Sequence, residues 1–201
     1  MRIHPLLIAL CCTACVSAPP IPATLGSAEI VSDFDSYELR RVGLLPLRGD
    51  GIDHESHEAM ETALITELDA TTEFELLRLT AADLDEIPQS EPHRTGTYNP
   101  ATILALARRY RLDAIIIGTV TDQQLFTPMR LGLQLDLVAA ETGLAVWTAA
   151  VQLDTTRADV KQSLDAWSIS HLGESETATH VSLISPGRFS RFAAWQIAQL
   201  L

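Results

Sequence analysis

The stretch "RLGLQLDLVAAETGLAVWTAAVQLD", residues 130–154, contains the most regular pattern in the chain. Apolar residues occupy every second position in its first half and again in its second half, and 140–143 between the halves supply turn residues. Alternation with a period of two is typical of a strand with one buried face. We therefore predict an antiparallel hairpin whose leucines pack against helices: Leu131, Leu133, Leu135 and Leu137.

Shorter apolar runs and helical periodicities surround the hairpin. Dense apolar runs predict buried strands at residues 42–47, 74–79 and 112–120. Apolar residues recurring every three or four positions predict helices within 52–72, after Asn99-Pro100, before Gly173 and after Ser185-Pro186. Residues 88–98 are polar and aperiodic, which predicts an exposed loop. The order predicts an α/β fold: a mixed sheet with helices packed on its faces, one antiparallel hairpin and two C-terminal helices.

All three cysteines lie in "IALCCTACVS", residues 8–17. Arg2 followed by a short apolar run is typical of a signal peptide, and the run is far shorter than the ~20 residues that span a bilayer. The small pair Thr13-Ala14 before Cys15 resembles the lipobox of bacterial lipoproteins. We expect a signal peptide at 1–14 and lipid attachment at Cys15. The alternatives are an ordinary cleaved signal peptide with incidental cysteines, or a redox Cys12-x-x-Cys15 pair.

The segment after Cys15 has the composition of a linker. Residues 16–36 contain three prolines and several small residues without a sustained period. We therefore expect a lipid-anchored flexible linker at 15–36 and a single periplasmic α/β domain at 37–201. Acidic residues outnumber Lys and Arg by 26 to 14, and the net charge of -12 makes nucleic acid an unfavourable partner.

Few residues suggest a binding site. Asp53, His54 and His57 near a helix start are weak candidates for a metal site, because acidic residues there also complement the helix dipole. Arg48 and Asp50 lie in a turn after a strand, where ligands of α/β sheets often bind. Trp195 is off the main apolar stripe of its helix, so an exposed tryptophan there is a possible anchor for a partner.

Motifs for catalysis are missing from the sequence. The chain has no Gly-rich phosphate loop, no G-x-S-x-G motif and no S-x-x-K motif. We therefore expect a protein that is not an enzyme and that uses no cofactor.

Three segments resemble a known group of envelope proteins. Residues 42–46, 113–120 and 135–147 are similar to segments of the curli-secretion-channel lipoprotein family, the amino-terminal domain of TolB and the activator lipoproteins of penicillin-binding proteins. The resemblance implies a periplasmic α/β domain on an outer-membrane lipoprotein. Val16 is compatible with this location, because an aspartate at that position retains proteobacterial lipoproteins in the inner membrane.

The expected function follows from the anchor and the resemblance. We expect an outer-membrane lipoprotein that faces the periplasm and acts as an assembly, scaffold or activator factor, through an envelope protein partner or self-association. One alternative is an exported metal- or ligand-binding domain. The other is a secretion-channel subunit, which the polar stretch 88–98 disfavours because a channel hairpin needs long alternating strands facing lipid.

Overall fold

The computed structural model describes residues 20–49, 54–85, 93–94, 97–173 and 185–201. Within these ranges a six-stranded sheet has the spatial order β1-β8-β7-β6-β2-β3. Its strands are β1 (Ser27–Ile30), β2 (Arg41–Leu44), β3 (Glu75–Arg78), β6 (Ala114–Gln124), β7 (Arg130–Ala139) and β8 (Ala145–Asp154); β4 (His93–Arg94) and β5 (Thr97–Tyr98) form a separate pair.

The described helices are α1 (His54–Asp69), α2 (Ala81–Asp85), α3 (Pro100–Tyr110), α4 (Ala158–Leu172) and α5 (Pro186–Ala198). The pairs β1/β8, β8/β7 and β7/β6 are antiparallel, whereas β6/β2 and β2/β3 are parallel. The predicted α/β fold with a mixed sheet, an antiparallel hairpin and two C-terminal helices is confirmed. None of the helices in the described ranges is long and apolar enough to cross a membrane.

The predicted leucine ladder forms the centre of the main core. Leu133, Leu135 and Leu137 on β7 pair with Val151, Ala149 and Trp147 on β8 and point to the same side of the sheet. Apolar side chains of α1, α4 and α5 cover this side and belong to the same buried cluster. The Trp147 indole N–H donates to the Leu200 carbonyl at 2.8 Å, which joins the hairpin to the end of the chain.

A second, smaller core lies on the opposite side of the sheet. Ile103 and Leu106 of α3 pack there with Ile115, Ile117 and Val138. The strand residues of this cluster come from the first half of β6 and the end of β7. The helix α3 therefore covers only that part of this side of the sheet. The helices therefore divide unequally between the two sides of the sheet.

Helix boundaries follow the signals in the sequence. The Asn99 side chain accepts from the backbone N–H of Ala101 at 3.1 Å, and Pro100 occupies the first helical position of α3. Ser185 caps α5 in the same way. Gly173 ends α4 with a φ of 66°, a left-handed conformation that glycine adopts without strain.

Two expectations from composition need correction. Residues 27–36, expected within a flexible linker, contain β1 and a short 3-10 helix at Phe34–Ser36. The strand β1 is held by backbone hydrogen bonds to β8. Its sequence "SAEI" therefore needs no alternating apolar pattern to form a strand. Residues 93–94 and 97–98, expected within a loop, form the small antiparallel ladder.

Candidate interaction surface

The predicted metal candidates are only partly described. Asp53 lies outside the described residues, as does Asp50, and of His54 only its place at the start of α1 is known. His57 lies on α1, half-buried, and its Nε2 has no hydrogen-bond partner among the described residues. Among the residues that the structure describes, no three His, Cys, Asp or Glu side chains come together as a metal site. That Asp53, His54 and His57 are weak candidates and hold no metal stays a prediction.

Arg48 lies beside the sheet rather than in an isolated turn. Its backbone N–H donates to Gly118 at 3.0 Å and its carbonyl accepts from Val120 at 2.6 Å, which forms a bridge with Thr119 of β6. These bonds continue the parallel pairing of β2 and β6 beyond the end of β2. Arg48 is half-buried and adjoins the uncovered part of the sheet.

Trp195 is not an exposed anchor, and that prediction is wrong. Its side chain is only 7% exposed. The indole stacks on Phe192 with ring centroids 6.1 Å apart and meets the edge of His171 at 5.2 Å. The helix α5 packs against α1, α4 and the sheet, so positions outside its main apolar stripe are buried as well.

An uncovered surface of the described sheet lies on the side that α3 only partly covers. We call it the open face; its residues, half-buried or exposed, are Thr119, Thr121, Gln134, Thr148, Ala150 and Gln152. The strand register places Gln134 between Thr119 on β6 and Ala150 on β8, so the side chains form a continuous patch. Charged side chains border the patch on the same side of the sheet: Asp122, Arg130 and Asp154.

Gly132 leaves room on the open face for the side chains of two neighbouring residues. A Cβ at this position would lie 2.3 Å from Gln152 Oε1 and 2.4 Å from Thr121 Oγ1, so these two side chains lie directly over the β7 backbone. Gln152 also donates to Asp122 at 3.4 Å. Contacts between side chains of β6 and β8 therefore hold this surface in place, which lowers the entropy cost of binding a partner.

The sequence analysis missed the open face, although part of the signal was available. Gln134 and Gln152 occupy the polar positions of the two alternating strands, which predicts that their side of the hairpin faces water. Which part of that side remains uncovered depends on where α3 packs. That placement is a tertiary contact without a local sequence signal.

No family model matches the chain, and no curated protein gives a match. Several solved structures are similar. The PelC dodecamer from Paraburkholderia phytofirmans has a TM-score of 0.46 and 12% identity, and the match covers 81% of this chain and 97% of PelC. Lipoprotein GNA1162 from Neisseria meningitidis has a TM-score of 0.45 and 14% identity, with 67% of this chain and 97% of that chain covered.

The NMR structure of LpoB from E. coli has a TM-score of 0.39 and 16% identity, with 76% of this chain and 82% of LpoB covered. At such low identity these similarities concern the fold.

Proposed function

We propose that this protein is a non-enzymatic lipoprotein of the bacterial envelope that acts through protein contacts. In this proposal the acylated Cys15 anchors it in the outer membrane, its single folded domain faces the periplasm, and it serves as an assembly, scaffold or activator factor. The observation that carries the proposal is the open face, an ordered polar sheet surface without a covering helix in the described part of the chain. The lipobox-like sequence before Cys15 supports the anchor.

The open face suits a protein partner better than a small ligand. Four of its residues, Thr121, Gln134, Ala150 and Gln152, line an open depression of about 340 Å³. Small-molecule sites are instead enclosed and mostly apolar. Specific protein interfaces need ~800 Å² per partner, so the contact would extend beyond the open face itself. The neighbouring edge strand β1, whose Ser27 and Glu29 are exposed, offers the nearest additional surface.

The packing of the hairpin argues against the alternative of a channel strand. The leucine side of β7 is covered by helices of the same domain, so it is not available to face lipid. The alternative of a metal-binding domain has no described ligand set in its favour. We therefore retain the protein-contact proposal.

Acylation of Cys15 is tested by substitution. We expect Cys15→Ser to abolish the incorporation of labelled palmitate and to release the protein from the membrane fraction, because a buried acyl methylene contributes ~0.8 kcal/mol and firm anchoring needs two chains. Cys11→Ser serves as the control and should retain the label. A Cys15→Ser protein that is still labelled and membrane-bound would contradict the anchor.

Protein contact through the open face is tested in cells. We place a photo-crosslinking amino acid at Gln152 on the open face and, as a control, at the exposed Thr66 on α1. We expect discrete crosslinked products from position 152 and none from position 66. Their masses distinguish a second copy of this chain from another protein. If position 152 yields no product above the control, the open face is not the interface.

A further inference from the structure

Two polar side chains hold the segment that leads from the anchor into the domain. Gln196 on α5 accepts from the Leu25 N–H at 2.7 Å and donates to the Ala23 carbonyl at 2.9 Å. Ser163 on α4 donates to the same carbonyl at 2.7 Å. Both side chains are buried. We call these bonds the clamp; they attach residues 23–25 to the two C-terminal helices.

The chain on both sides of the clamp also lies against the domain. Gly26 follows it, and a Cβ there would lie 2.9 Å from the Ala150 carbonyl, so only a residue without a side chain permits this approach. Pro20 and Ile21 precede it and line a groove along α4 together with Lys161 and Ile169. The ordered domain therefore begins before β1 rather than at residue 37.

The clamp shortens the distance that the tether can span. Between Cys15 and Ala23 lie eight residue steps, which span at most about 29 Å when fully extended at ~3.6 Å each. A tether that remained free as far as residue 36 would reach about 75 Å by the same measure. The lipid attachment point therefore lies within about 29 Å of α4, the helix that carries half of the clamp.

The charges on α4 permit a close approach to lipid headgroups. Arg157 and Lys161 balance Asp159 and Asp165, so residues 157–172 carry no net charge with His neutral, whereas the whole chain carries -12. Lys161 is exposed on this helix, and beside it Ile21 is 92% exposed. An anionic bilayer repels the acidic surface of the rest of the domain. It repels the net-neutral surface formed by α4 and Ile21 less.

We propose that the clamp holds the exposed side of α4, together with Ile21, against the headgroup surface of the bilayer. This inference rests on the acylation of Cys15 proposed above. The open face lies on the opposite side of the sheet from α4, so this orientation turns it away from the membrane and towards a partner in the periplasm.

The orientation is measured on protein purified from cells that express the full-length chain. It is reconstituted in phosphatidylethanolamine and phosphatidylglycerol vesicles that contain a lipid with a spin-labelled headgroup. The mature acylated chain has no free thiol, because Cys11 and Cys12 precede the acylated Cys15. A fluorophore on Lys161→Cys therefore reports on α4, and one on the exposed Arg108→Cys of α3 reports on the opposite side of the sheet. We expect headgroup quenching to be several-fold stronger at position 161 than at position 108.

Two further variants test the role of the clamp. Inserting a 20-residue Gly/Ser segment between residues 19 and 20 leaves the clamp intact but lengthens the tether, and we expect it to remove the difference in quenching. Gln196→Ala should reduce the difference as well, with the melting temperature measured to confirm that the domain still folds. Equal quenching at both positions in vesicle-bound protein would overturn the proposed orientation alone. Failure of the chain to sediment with vesicles would contradict the acylation, and the orientation with it.

Discussion

Leu135→Ala is expected to lower the free energy of unfolding by about 2–5 kcal/mol, a large part of the 5–15 kcal/mol typical of a domain. Leu135 is fully buried at the centre of β7. The strand register places Gly118 of β6 and Ala149 of β8 directly beside it. Neither neighbour has a side chain that could fill the space left by the leucine, so the cavity should persist. Urea denaturation of residues 20–201, followed by tryptophan fluorescence, measures the change.

Gln134→Ala is the matched control for this prediction. Gln134 is adjacent on the same strand, but its side chain is on the open face and only half-buried. We expect it to cost less than ~1 kcal/mol. Asp136 lies on the same side of β7 as Gln134, but it is buried and would therefore be a poor control. Similar losses for Leu135→Ala and Gln134→Ala would contradict the assignment of the buried side. The protein used for the measurement begins at residue 20, so that it includes both β1 and the clamp.

Glu61→Ala is expected to destabilise the domain by about 2–4 kcal/mol, because it leaves the buried backbone N–H of Leu47 without its acceptor. Glu61 lies on α1 and is only 6% exposed. One carboxylate oxygen accepts from the Leu47 backbone N–H at 2.9 Å. The other accepts from Arg78 Nε at 3.0 Å and Nη2 at 2.7 Å. The carboxylate therefore joins α1 to β3 and to the segment after β2.

The same helix provides the control for this ion pair. Glu58 lies 4.0 Å from Arg78 Nη2 and its side chain is exposed, so Glu58→Ala should cost no more than ~0.5 kcal/mol. Glu61→Gln retains an acceptor for Leu47 and should cost less than Glu61→Ala. The measurement is again urea denaturation, and equal losses for Glu58→Ala and Glu61→Ala would show that the buried position of Glu61 has no special role.

Local signals predicted the helices and the hairpin well. Asn99, Gly173 and Ser185 marked helix ends because a cap or a left-handed residue acts on the backbone within a few positions. The alternation in 130–154 predicted both the strands and their buried side, because successive side chains of a strand point to opposite sides. These features depend on residues that are close together in sequence.

Other features depend on contacts between distant residues. The strand β1 forms because β8 offers a free backbone edge more than a hundred residues later, so the composition of 16–36 could not reveal it. Trp195 is buried because α5 is covered by α1, α4 and the sheet, which a helical stripe alone does not predict. Gln196 and Ser163 interrupt apolar stripes, but only the fold shows that they bind the backbone of residues 23–25.

The sequence by itself therefore determined the α/β class, the hairpin with its buried leucines and the ends of three helices, because capping and side-chain alternation act over a few residues. The tertiary structure alone decided where the ordered domain begins, that Trp195 is buried and which part of the sheet stays open. Those properties arise when elements far apart in sequence compete to cover the same surface, and the outcome depends on packing rather than on any single segment.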